Sequence, residues 1–212
     1  RRSGIACCGC STRTPKRRRT RNRFLVVVDD GGHLLGIEAA RRLAALGVAD
    51  IAPGLADREF ERLEATFGFE FADDHRAFLA AGLPLGDMWP DWRDGPEKKL
   101  RERLRWPAEG VLFDVEWSGF WYPAWGPRPA AMKHALRSAR WQLDRVPQMV
   151  PVHSHRYLPA GRGTFGHPVL SMYQTDIICY GTDLAHYIDR EFAHAESRAA
   201  TPTVEFWSDL VS

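Results

Sequence analysis

GLADREFERLEATFGFEFADDHRAFLAAG, residues 54–82, carries the clearest local order in the chain. It reads as two short helices joined by a tight aromatic connection. Asp57 suits the N-cap of a helix starting at Arg58, because its carboxylate can accept the free backbone N–H groups of the first turn. Phe60, Leu63 and Phe67 recur at i, i+3 and i+7 and therefore share one stripe. Gly68 ends that helix where a left-handed residue is wanted. Phe69 and Phe71 alternate across the linker, Asp73 caps a second helix, Phe78 and Leu79 face inward, and Gly82 closes it.

By pattern alone this is a helical hairpin on a core. The order of Gly54, Leu55, Asp57, Glu59, Phe67, Gly68, Asp74, His75, Arg76 and Leu79 also resembles the opening motif of the SUKH superfamily, the SMI1/KNR4-like domains. In those domains a Gly-Leu-x-Asp-x-Glu start leads into a helix ending in an aromatic-Gly pair, followed by an Asp-(His/Tyr)-(Arg/Lys) helix. Ala72 departs from the pattern, which often has proline there. The resemblance extends to the strands around Val169–Tyr173 and Ile177–Gly181 and to a closing helix over Asp183–Phe192. It covers about residues 37–194.

The overall charge of +2 conceals an asymmetry. Residues 1–23 hold nine basic residues and no acid, so the remainder carries 20 bases against 27 acids. Cys7, Cys8 and Cys10 also fall in that leader, but a structural zinc site needs four ligands, usually from two separated pairs. The arginine-rich run Lys16–Arg19 could neutralise phosphates. Its composition instead predicts a disordered leader over residues 1–36, or sequence lying upstream of the true start. Nucleic acid is not an expected partner of the rest. No apolar run approaches the roughly 20 residues that cross a bilayer, and the lone body cysteine, Cys179, reads as a small hydrophobe in an apolar run. The expected setting is the cytoplasm, with no membrane partner.

Phe24–Gly47 offers a hydrophobic run, a glycine-rich turn and an alanine-rich helix, the ingredients of a phosphate-cradling unit. The spacing of Gly31, Gly32 and Gly36 does not make G-x-G-x-x-G, and Asp29 and Asp30 would repel a pyrophosphate. A helix over about Ile37–Leu46 remains, with Leu43 and Leu46 toward the core. Beyond Gly82, a charged helix is expected near Glu97–Arg105 and a strand over Val111–Trp117, with Val111, Phe113 and Val115 on one face. A long helix after Pro129 carries Met132, Leu136, Ala139 and Leu143. Strands follow at Met149–Val152, Pro168–Tyr173 and Ile177–Tyr180, then a helix capped by Asp183. Strands and helices segregate, so the expected fold class is α+β: a single SUKH-like domain over residues 37–194, with a mixed or largely antiparallel sheet and flanking helices. Residues 195–212 form a C-terminal tail.

His153 and His155, at i and i+2 of a strand, would share a face, and His167 in a nearby loop could join them around a metal. Two ligands do not make a site, and no nucleophile elbow or P-loop is present. Asp73–Asp74 looks like capping, and Asp114/Glu116 like the solvated side of a strand. The concentration of Trp89, Trp92, Trp117, Trp121, Tyr122 and Trp125 admits three readings: core filling, a protein interface, or a sugar platform. The resemblance implies a non-catalytic protein-binding module without a cofactor. In bacteria such domains are often immunity proteins that occlude a toxin domain. An acidic body suits a basic, nuclease-type toxin, and a concave sheet face with aromatic and acidic rims would cover it. Trp89, Trp92, Asp94 and Trp121 are the expected contacts. The alternatives are a regulatory scaffold of the SMI1/KNR4 type and a metal-dependent enzyme using His153 and His155.

Overall fold

The computed structural model describes residues 30–201 and 203–212. The apolar run Phe24–Val28, the leader cysteines and the Lys16–Arg19 run lie outside the described residues. Within them are six helices and two antiparallel sheets, an α+β fold. In chain order these are α1 (Gly31–Leu46), β1 (Asp50–Ala52), α2 (Asp57–Phe67), α3 (Asp73–Ala81), β2 (Leu83–Leu85), α4 (Glu97–Trp117), α5 (Met132–Leu143), β3 (Met149–His153), β4 (Arg156–Pro159), β5 (Val169–Tyr173), β6 (Asp176–Gly181) and α6 (Leu184–Phe192). β1 and β2 pair as a two-stranded ribbon, and β3 to β6 form a meander in sequence order.

The 54–82 hairpin forms as α2 and α3, with Phe60, Leu63, Phe71, Phe78 and Leu79 buried. Gly68 is left-handed at φ 75° and its N–H reaches the Glu64 carbonyl. The N-termini differ from expectation by one residue. α2 starts at Asp57, and the Glu59 carboxylate, three residues into the helix, accepts the Ala56 N–H at 2.8 Å. Asp57 instead pairs with Arg76 at 2.8 Å. At the start of α3, Asp73 accepts the Gly163 N–H and Asp74 the Gly166 N–H, at 3.0 and 2.9 Å. The acidic pair therefore clasps the β4–β5 loop as well as sitting at a helix N-terminus.

α1 begins at Gly31, so the stretch assigned to the leader already contains helix, and Gly31, Gly32 and Gly36 make no turn. Gly36 lies against α3, where close contact leaves no room for a side chain. Leu43 is buried as expected, whereas Leu46 is 37% exposed, because the helix has by then passed its neighbours.

The largest departure is α4. The expected strand Val111–Trp117 is the second half of a 21-residue helix that runs through Pro107. Proline has no N–H for the Arg103 carbonyl one turn back, which ordinarily breaks the helix. Here the Tyr157 hydroxyl on β4 donates to that carbonyl at 3.0 Å. The adjacent Leu104 carbonyl accepts from the Gln148 side chain at 2.9 Å. With the orphaned acceptor satisfied from outside, the β-rich composition of residues 111–117 yields to helical packing of Val111, Leu112 and Val115.

The four-stranded sheet separates two cores. Val150, Val152, Leu158 and Val169 face α1, α2, α3 and α6, while Met149, Tyr157, Leu170, Met172 and Ile177 face α4 and α5. α4 serves both: Leu100 and Leu104 belong to the first core, Val111, Leu112 and Val115 to the second. Val204, Phe206 and Trp207 complete the second core, and the Trp207 indole N–H donates to the Pro147 carbonyl at 2.8 Å. Both faces of the sheet carry a buried core, and among the described residues its exposed positions are confined to the β5–β6 end, at Tyr173, Asp176 and Ile178, rather than forming an open face across all four strands. Within the C-terminal tail, Val204, Phe206 and Trp207 are buried.

Candidate partner-binding surface

Of the four expected contact residues, two are withdrawn into the first core. Trp89 is 7% exposed and Trp92 1%. Trp89 stacks on Phe78 and Phe192 and meets the His153 ring at 4.5 Å between centroids. Trp92 takes edge contacts from Phe67, Phe69 and Phe71. Large rings fill the junction of α2, α3 and the sheet. Trp121 is half-buried, its N–H donated to the Gly126 carbonyl at 2.7 Å and its ring edge-on to Trp125. Asp94 alone of the four is exposed.

The histidines do not converge. His153 ends β3, Ser154 takes φ 48° in the turn, and His155 lies beyond it, so the expected i, i+2 alternation is broken by the hairpin. His153 Nδ1 meets the Tyr187 hydroxyl at 3.0 Å, His155 contacts Ser154 and Arg156, and His167 Nδ1 meets the Thr203 hydroxyl at 2.7 Å. Among the described residues, no group of three or more His, Cys, Asp or Glu side chains is placed to hold a metal ion.

What the surface offers is the outer side of α4. Trp106 is 51% exposed, Phe113 47% and Trp117 71%. Their spacing of seven and four residues puts them on one face of a 3.6-residue helix, opposite the face that carries Val111 and Val115. Tyr173, at the end of β5, and Met88 stand beside them, both at least half exposed. Between α4, Met88 and the β3–β4 turn lies a groove of about 480 Å3 walled by Met88, Trp106, Tyr157 and Tyr173, with Lys99, Arg103 and His155 on its margin. A second hollow, about 220 Å3, continues past Trp106 and Tyr173 toward Phe113.

This surface is rigidly held. The Arg103 guanidinium donates to the Met88 and Asp87 carbonyls at 3.0 and 2.9 Å, and the Ser154 N–H to the Met88 carbonyl at 2.7 Å. Asp114, expected on a solvated strand face, is buried at 4% exposure. It accepts the Thr175 N–H at 2.9 Å, the Thr175 hydroxyl at 2.6 Å and the Ser118 hydroxyl at 2.7 Å. Burial opposes its charge, but these hydrogen bonds prevail and hold the carboxyl below its usual range. The β5–β6 turn is thereby fixed against α4 where Gly110 approaches Gln174.

Buried titratable groups on α3 and at the end of β3 make the fold acid-sensitive. Desolvation pushes His75 down to about 3 and His153 to about 4, so both fold neutral. The same cause raises Asp74 to about 6, against hydrogen bonds from Gly166 and His75. As pH falls below 6.5 the unfolded histidines bind protons that the folded ones refuse, and stability drops. Asp74 acts the other way: below about 6 the folded carboxyl takes a proton that the unfolded one does not bind until about 3.8. Two histidines outweigh one carboxyl. Denaturant unfolding is expected to give about 2–3 kcal/mol less stability at pH 5 than at pH 6.5, with a shallower fall in His75→Leu. Equal or greater stability at pH 5 would refute this balance.

No family model, curated protein or solved structure matches the chain. No helix among the described residues is long and apolar enough to cross a membrane.

Sequence reasoning missed Trp106, Phe113 and Tyr173. Their signal was present but depended on α4 being continuous: only then do residues 106, 113 and 117 fall on one face, opposite a second apolar face.

Proposed function

We propose that the chain is a non-catalytic protein-binding module of the SMI1/KNR4-like kind, and that it neutralises a toxin domain by covering it. The observation that carries this reading is the aromatic face of α4 with its adjoining groove. Three rings, Trp106, Phe113 and Trp117, are spent on solvent although the same helix already buries a full apolar face. Exposed aromatic clusters of this kind mark protein interfaces, where Trp and Tyr supply most of the binding energy. Recognition by a helix and a groove replaces the sheet-face occlusion expected from sequence. The acidic balance outside residues 1–23 favours encounter with a basic partner.

The test uses a basic C-terminal domain of a large secreted protein encoded beside this reading frame. The full chain is expected to form a stoichiometric complex with it and abolish its toxicity. Trp106→Ala and Tyr173→Ala should each weaken that complex about tenfold or more while leaving thermal unfolding unchanged. Full affinity in both variants would exclude this surface, and failure to bind any such domain would exclude the immunity reading.

A further inference from the structure

The outer face of α4 carries exposed rings, a hollow beside them and charges of opposite sign toward its two ends. Trp106 projects from it with half its surface in solvent. One turn further on, Gly110 floors the hollow of about 220 Å3 between Trp106 and Phe113, and Tyr173 and Gln174 close it on the sheet side. A projecting ring and a hollow one turn apart are the two halves of an isologous contact. A two-fold axis crossing the helix between them seats each Trp106 in the hollow of the other copy.

The charges follow the same symmetry. Residues 97–105 hold five bases and two acids, whereas the exposed charges of residues 106–117 are the two acids Glu109 and Glu116, Asp114 being buried. Antiparallel alignment lays the basic half of one α4 along the acidic half of the other, and parallel alignment sets like against like. The register that seats Trp106 over Gly110 also brings Lys99 beside Glu116 and Trp117 of the second copy. All three of these end residues are exposed, so the pairing requires no rearrangement of the fold.

We infer that the α4 face pairs antiparallel with the same face of a second copy, forming a two-fold dimer centred on Trp106 and Gly110. The inference rests on α4 being a protein-recognition surface. Because Trp106 serves both uses, self-association and partner binding exclude one another.

Sedimentation equilibrium of the full chain over a range of concentrations tests it. The expected result is a reversible monomer–dimer equilibrium that weakens with added salt. Trp106→Ala should weaken association about 100-fold, since each dimer loses two central rings. Glu116→Lys should also weaken it, and adding Lys99→Glu to that variant should restore it. A monomer at every concentration would overturn the dimer, as would a dimer indifferent to Trp106→Ala. Neither outcome touches the toxin-binding reading, which is measured separately by capture of the toxin domain with the same wild-type protein.

Discussion

Gly36→Ala is expected to lower the unfolding free energy by about 3 kcal/mol, although alanine is the better helix former by about 1 kcal/mol. Gly36 sits in the middle of α1 and its absent Cβ is what lets α1 lie on α3. An added methyl would stand 2.2 Å from the Asp74 carbonyl oxygen and 2.7 Å from both Ala77 Cβ and the Phe78 nitrogen. Two of those three atoms are backbone, so no side-chain rotation relieves the clash, and the helices must separate. Urea unfolding of the two proteins decides the matter by sign. Stabilisation would mean that propensity governs this position and that the close approach is not needed.

Asp114→Ala is expected to cost a similar amount, about 3 kcal/mol, for a different reason. The carboxylate serves three donors at once, and its removal leaves the Thr175 N–H and hydroxyl without their buried acceptor. Asn, which keeps one oxygen, should recover roughly half of the loss. Because the same contacts hold the β5–β6 turn on α4, the variant should also soften the hollow beside Tyr173 and reduce partner binding. Unfolding measured by near-ultraviolet circular dichroism gives the first effect. An unchanged midpoint would show that Thr175 and Ser118 find water instead.

These two sites also mark what the sequence could and could not reveal. Elements whose signals are local were readable: the α2–α3 hairpin from its aromatic spacing, α6 from Asp183, whose carboxylate accepts the His186 N–H, and the β5–β6 hairpin around Gln174–Thr175. The α+β class followed from their arrangement along the chain. Gly36 looked like part of a turn because nothing near it in sequence announces α3. Residues 111–117 looked like a strand because the donor that lets α4 continue, the Tyr157 hydroxyl, lies fifty-four residues from the Arg103 carbonyl that it satisfies. β4 went unread inside the histidine-rich hairpin for the same reason: its partners set it.

The candidate surface inherits that error. With a helix ending near Arg105 and a strand over Val111–Trp117, Trp106 falls between elements and Phe113 shares a strand face with Val111 and Val115, so Trp89 and Trp92 stand as the expected aromatic contacts instead. Tryptophan count alone cannot separate rings that fill a core from rings that face a partner. Burial separates them, and burial depended on the fate of one helix.

The passage of α4 through both cores has a consequence for how the molecule opens. Its first half is anchored by Leu100 and Leu104 on one side of the sheet, its second by Val111, Leu112 and Val115 on the other. Loosening either side strips hydrogen bonds from a helix the other side still needs. The two layers are therefore expected to open together, so that the described residues unfold as a single cooperative unit rather than as two independently fluctuating halves.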